Sequence, residues 1–171
     1  LAAWVRLDTN TLGTSAEDQC LPFTAATEVP CTVIAKSGSP VHDITWGLRL
    51  VYNTGWTVQM HVTNASGTIA NRTMSLPGTF QTTAWTHIAA VYDSGTVEFF
   101  VDGTSLGAPV AIHPSVTDID TDSTEPVTIG AKLKDSGATE IFPFHGRIDE
   151  VHVFDRALDD WEIATLVVET P

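Results

Sequence analysis

The sequence predicts an all-β chain of antiparallel strands stacked as a sandwich, with one short helix near the C-terminus. Three observations carry this. Short runs rich in β-branched and aromatic residues recur along the chain between clusters of Gly, Pro, Asn and Asp, which is the punctuation of strands and turns. Trp85-Thr86-His87-Ile88-Ala89-Ala90-Val91-Tyr92-Asp93 runs through Ser94-Gly95 into Val97-Glu98-Phe99-Phe100-Val101-Asp102-Gly103, a β-hairpin closed by Ser-Gly and stopped by Asp-Gly. Leu158 to Leu166 reads as a helix, with Asp159 or Asp160 near its start and Pro171 beyond its end. At 171 residues, with 43% hydrophobic and 17% charged residues, the chain can bury one core, so a single domain over 1–171 is expected.

Taken in order, Ala2 to Leu7 starts a strand and Cys31 to Lys36 forms the next. Thr45 to Tyr52 and Trp56 to Thr63 pair as a hairpin around Asn53-Thr54-Gly55, and Asn64 to Gly67 turns into Thr68 to Met74. After the hairpin from Trp85 to Asp102, Thr104 to Pro126 reads as a loop, and Val127 to Gly130 and Gly146 to Phe154 resume strands. Successive strand side chains point to opposite faces. Val58, Met60 and Val62 therefore face a core, while Thr57, Gln59, His61 and Thr63 make a polar face that is a candidate ligand surface. Tyr52 or Trp56 at the hairpin tip could give a sugar ring an aromatic platform. The plainer alternative is that Trp56 caps the sandwich edge and that Gln59 and His61 are solvated.

Eight basic against twenty-one acidic residues give a net charge of −13. That field repels nucleic acid and anionic membrane, and suits cations, neutral glycans or plain solubility. No run approaches the roughly 18 apolar residues of a membrane helix, so no membrane insertion is expected. The chain starts at Leu1, neither Met nor the start of a signal peptide, and is expected to be processed or cut from something larger. Cys20 and Cys31, its only cysteines, lack metal-type spacing and flank a turn-rich stretch. One disulfide in an oxidising compartment is expected, two free thiols being the alternative. Asn64-Ala65-Ser66 and Asn71-Arg72-Thr73 are N-glycosylation sequons beside turn residues, where exposed acceptors are expected. Together these features point to an extracellular or cell-surface protein.

A second stretch, Phe144-His145-Gly146-Arg147-Ile148-Asp149-Glu150-Val151-His152-Val153-Phe154-Asp155-Arg156-Ala157-Leu158, joins the hairpin in an ordered pattern. W-x-H-x-A-x-x-Y-D, F-V-D-G, I-G and F-x-G-x-I-D-E-V-x-V-x-x-R-A-L-x-x-x-E-I follow one another. The chain thus resembles the laminin-G-like jelly-roll domains of the concanavalin A-like lectin and glucanase superfamily. The resemblance implies a jelly-roll sandwich, packing roles for Trp4 and Trp85, and calcium as a common cofactor at varying positions. The fold hosts lectins, adhesion modules, hydrolases and lyases, so function is argued from the site.

The laminarin-cleaving members carry E-x-D-x-x-E on one strand, placing alternate carboxylates on one face. No such stretch occurs here. Gln59-Met60-His61 resembles the Q-x-H of jelly-roll alginate lyases, but no Arg-rich strand or Tyr-Lys-Gly strand accompanies it, and a lone His lacks the orienting partners of a general base. No Gly-x-Ser-x-Gly elbow is present. No catalytic residue is therefore assigned. Asp118-Ile119-Asp120-Thr121-Asp122 alternates carboxylates, three hard oxygen ligands of the kind calcium prefers, or else forms an ordinary solvated loop. In pentraxins, relatives of the fold, an acidic loop supplies the calcium ligands, where this chain has Gly130-Ala131-Lys132-Leu133-Lys134-Asp135. Asp149 and Glu150 are the other calcium candidates, with a hydrogen-bonding role for Asp149 as the alternative.

Family members commonly begin with a Phe-Asp-Gly strand that pairs with the closing strand, whereas this chain opens at Leu1-Ala2-Ala3-Trp4. The closing strand is expected to lack that neighbour and to offer an edge for self-association. Thr165 to Thr170 could fill such an edge as an added strand, or finish the helix and continue as a linker. The expected function is a non-catalytic extracellular glycan-binding or adhesion module, with structural calcium, acting on a glycan or glycoprotein surface. The alternatives are a structural subunit of an extracellular filament, coat or virion surface, and, third, a polysaccharide lyase.

Overall fold

The Ser-Gly and Asp-Gly signals become two turns of one kind. Strand β6 (Thr86–Asp93) pairs with β7 (Thr96–Val101), with Asp93 opposite Thr96, so Ser94 and Gly95 alone make the loop, at φ 48° and 89°. Positive φ at both central residues is what a two-residue hairpin of matching twist requires. Asp102 and Gly103, at φ 47° and 74°, repeat the device before β8 (Thr104–Ser105). Asp102 also accepts a hydrogen bond from the His87 backbone N–H at 2.9 Å, tying the turn to β6.

The computed structural model describes residues 1–8, 29–38, 44–52, 54–114, 116–121, 124–134, 137–168 and 171. Two antiparallel sheets face each other, as a jelly roll requires. One runs β13 (Gly146–His152), β1 (Ala2–Leu7), β6, β7, β8, with β9 (Val110–Ala111) also on β7. The other runs β10 (Val127–Ile129), β2 (Val29–Lys36), β3 (Trp46–Tyr52), β4 (Trp56–Thr63), β5 (Ile69–Ser75). Between them Val5, Leu7, Ile88 and Phe99 pack against Val33, Leu48, Leu50 and Val58, all buried. Each such side chain contributes roughly 1.5–3 kcal/mol. The outer face of the first sheet buries Ala2, Ala89 and Phe100 under Ile163 of α1 (Asp160–Leu166). Asp159 and Glu162 form a capping box that fixes where the helix starts.

Several expectations change. The closing strand β13 has a neighbour on one side, where β1 itself lies beside it with Trp4 opposite Asp149 and Ala2 opposite His152 across a bulge; on its other side it is the outermost strand of its sheet among the described residues. The opening strand is central, flanked by β13 and β6, because its alternating apolar residues serve a buried face on each side. Thr165 and Leu166 are helical, Leu166 packing on the cluster under α1, so they do not extend as a strand. The stretch read as a loop after Gly103 contains β8 and β9 and buries Ile112 and Val116. A further hairpin, β11 (Lys132–Lys134) with β12 (Thr139–Ile141), lies against the β2 edge, where the Thr32 N–H donates to the Phe142 carbonyl at 3.1 Å and the Leu133 N–H to Ser37 Oγ at 3.0 Å.

Candidate functional site in the groove of the second sheet

The face of β3 and β4 that points away from the core is polar but not solvated. Gln59 and His61 are buried, which corrects the reading of them as solvated groups. The hairpin register sets Arg49 opposite Gln59, and β5 sets Thr73 opposite Gln59 and Asn71 opposite His61. Arg49 Nε donates to Gln59 Oε1 at 2.5 Å, Arg49 Nη2 lies 3.1 Å from His61 Nδ1, and Gln59 Nε2 donates to Thr73 Oγ1 at 2.9 Å. A guanidinium only donates. His61 Nδ1 is therefore the acceptor, and the neutral ring carries its proton on Nε2.

Above this row, Lys132 and Phe142 close one side of a groove of about 300 Å³, completed by Pro30 and Val51. Lys132 is buried, with Nζ 5.9 Å from the centre of the Phe142 ring. Phe142 stands at φ 53°, left-handed backbone that a bulky residue adopts only when its surroundings impose it. The hydrogen bond from Thr32 to its carbonyl is one such constraint.

The sequence-predicted candidates divide between two faces. Gln59 and His61 enter the groove; Tyr52 and Trp56 do not. The rings of Tyr52 and Trp56 meet edge to face at 5.3 Å, Trp56 meets Phe80 at 6.1 Å, and Trp56 packs against the main core. Trp56 shares the parity of Val58 and Met60, so it is no platform for the polar face; the aromatic ring at the groove is Phe142. Arg49, Lys132 and Phe142 were not anticipated. Arg49 is legible from the hairpin register, whereas Lys132 and Phe142 arrive through long-range pairing. Arg49 supplies one arginine beside Gln59-Met60-His61, which does not make an Arg-rich strand, and no tyrosine lines the groove among the described residues.

Trp4 is buried as expected, against His87 at 5.5 Å, and half-buried Trp85 lies under the Arg6 guanidinium at 5.9 Å. A larger cleft of about 670 Å³ lies elsewhere, among Trp46, Met60, Tyr92, Ile119, Phe154 and Leu158. Its lining is mostly apolar, and its arginine, Arg156, is held in two hydrogen bonds by Glu162 at 2.7 and 2.5 Å. Convergent polar groups mark the smaller groove as the candidate site.

Asp118 is exposed, Asp120 half-buried with its N–H bonded to the Thr63 carbonyl at 2.9 Å, and Asp122 lies outside the described residues. Among the described residues no three carboxylate, His or Cys side chains group as metal ligands. Asp149 Oδ1 accepts from the Glu150 N–H at 2.9 Å, a bond to nearby backbone. Cys31 is buried in β2, and Cys20 lies outside the described residues. Asn64 is buried, its Oδ1 accepting from the Ser66 and Thr68 N–H groups at 3.1 and 2.8 Å. The exposed acceptor expected there is corrected: Asn64 closes the β4–β5 turn. Asn71 is exposed on β5.

A family model of the concanavalin A-like lectin/glucanases superfamily, of laminin-G type, matches residues 1–164. The chain belongs to this family. No curated protein sequence matches it. Among solved structures, it is similar to the CBM40 module of Ruminococcus gnavus IT-sialidase, at TM-score 0.62 and 16% identity over 97% of this chain and 80% of that one. The same module bound to alpha2,3 sialyllactose matches at TM-score 0.59 and 13% identity, with the same coverage. The native heptameric SAP-like pentraxin from Limulus polyphemus matches at TM-score 0.64 and 13% identity over 97% of this chain and 67% of that one. At these identities the likeness is one of fold.

Proposed function

We propose that the protein is a non-catalytic glycan-binding module that works outside the cell and holds its ligand in the groove beneath Lys132 and Phe142. The observation that carries this reading is the convergence of Arg49, Gln59, His61 and Lys132 on one concave patch beside an aromatic ring. A concave site with a few fixed polar groups and an apolar wall is how small-molecule and sugar sites are built. The CBM40 module solved with sialyllactose has the same fold, which makes a glycan the natural class of ligand. The two cysteines and the exposed Asn71 sequon support the extracellular setting. An oligosaccharide array probed with the purified protein, in parallel with Phe142→Ala and His61→Ala, tests the proposal. Binding by the parent that both substitutions weaken supports it; an array without a single bound glycan, or binding that both variants retain, overturns it.

A further inference from the structure

We propose that Asn71 is a modification site that regulates the groove: an N-linked glycan on its side chain stands over the groove's open side and restricts what reaches Gln59 and His61. The inference rests on the reading of a glycan-binding module outside the cell and adds how its site is controlled. Asn71-Arg72-Thr73 is a sequon, and the ladder between β4 and β5 sets Asn71 directly opposite His61 and Thr73 directly opposite Gln59. Directly opposed residues share a face of the sheet, with Cβ atoms about 4.5–5.5 Å apart. Asn71 therefore rises from the same face as the groove, one strand away from a residue that lines it. The sequon is also bonded into the groove floor: Thr73 Oγ1 accepts from Gln59 Nε2 at 2.9 Å, which carries the hydrogen-bonded row from β3 and β4 onto β5.

Access agrees. Lys132 and Phe142 wall the groove from the β2 side, where the Thr32 N–H donates to the Phe142 carbonyl. No described residue of β5 lines the groove, so its other side faces β5 across β4. β5 is the outermost strand of its sheet among the described residues, and Asn71 is exposed on it, which leaves a bulky modification room. The groove's volume of about 300 Å³ is at the small end of ligand sites, so a branched glycan shields the opening rather than filling it. The second sequon lacks this placement. Asn64 is buried and its Oδ1 holds the Ser66 and Thr68 N–H groups, so a glycan there competes with the turn. The donor for Asn71 is an oligosaccharide on a lipid pyrophosphate, the class used for N-glycosylation in a secretory compartment. Asn71 Nδ2 bonds to the anomeric carbon, the bond from that carbon to the pyrophosphate oxygen breaks, the lipid pyrophosphate leaves, and the amide gives up one proton.

The test uses the full chain secreted from a glycosylating host, as the parent and as Asn71→Gln, with part of the parent trimmed by an endoglycosidase to one N-acetylglucosamine. Peptide mass spectrometry reads occupancy, and one oligosaccharide array, probed over a dilution series, reads binding by all three forms. Asn71 should be occupied. The untrimmed parent should bind the array's glycans at least about tenfold more weakly than the other two forms, because a tethered glycan crowds the groove at an effective concentration in the millimolar range. Trimming leaves the sequence unchanged, so recovery on trimming assigns the effect to the glycan even if Asn71→Gln alters the fold. An Asn71 without glycan in the secreted protein, or an occupied parent that binds as well as its trimmed form, would overturn the regulation while keeping the glycan reading. An array blank for all three forms overturns both.

Discussion

Trp56 and Gln59 are three positions apart and serve opposite faces of β4. Alternation made that legible, because 56 shares its parity with Val58 and Met60. Position at a hairpin tip suggested exposure, and the contacts with Tyr52 and Phe80 leave the ring half-buried against the core instead. Trp56→Ala should therefore destabilise the fold by about 2 kcal/mol, less than the loss of a fully buried core aromatic, read as a lower urea midpoint. A melt unchanged from the parent would return Trp56 to the surface. His87 carries a second residue-level prediction. Fully buried beside Trp4, it has its pKa lowered from 6.5 to about 4, chiefly by burial and further by the nearby His152. Its folded pKa lies below its unfolded one, so between these values the unfolded chain binds a proton that the folded chain refuses. Stability should fall as pH drops from 6.5 towards 4, and His87→Leu should flatten that slope relative to the parent. Identical pH dependence in parent and variant would show that His87 is not held neutral.

At the scale of elements, the strands with strong alternation or turn chemistry were the readable ones. Ala2–Leu7 and Trp56–Thr63 fall where the pattern puts them, and Ser94-Gly95 makes the loop its composition demands. The β11–β12 hairpin was not readable: its strands are three residues each, too short for a period to show, and Lys132 at a buried position runs against composition. Lys132, and Phe142 just past β12, were hidden for that reason. Two further expectations belong to single segments. Cys20 and Cys31 should form one disulfide, seen as a joined peptide in non-reducing mass spectrometry, and reduction should cost about 2–3 kcal/mol from the loop it closes. Two alkylatable thiols in natively purified protein would refute it. If calcium binds at Asp118, Asp120 and Asp122, the melting temperature should rise with free calcium and Asn at all three should abolish the rise. Curves that coincide with and without chelator would leave the segment an ordinary acidic loop.

At the scale of the molecule, the family and the sandwich could be read from motifs in order, but strand order could not. That β1 pairs with β13, residues apart by most of the chain, is decided by which faces must be buried. The same long-range closure brings Lys132 and Phe142 over Arg49, Gln59 and His61, so the site is a property of the finished fold. The sequence supplied two members of the groove, Gln59 and His61; the register of one hairpin implies a third, Arg49. The charge of −13 speaks to the whole surface, against which the groove is a local exception. The most direct test of the account is where a bound sugar sits. Titrating 15N-labelled protein with the tightest-binding oligosaccharide should move amide resonances of β3, β4 and Lys132 to Phe142 together, at one dissociation constant. Shifts gathered instead around Trp46, Tyr92 and Phe154, with the β3–β4 face unmoved, would contradict it.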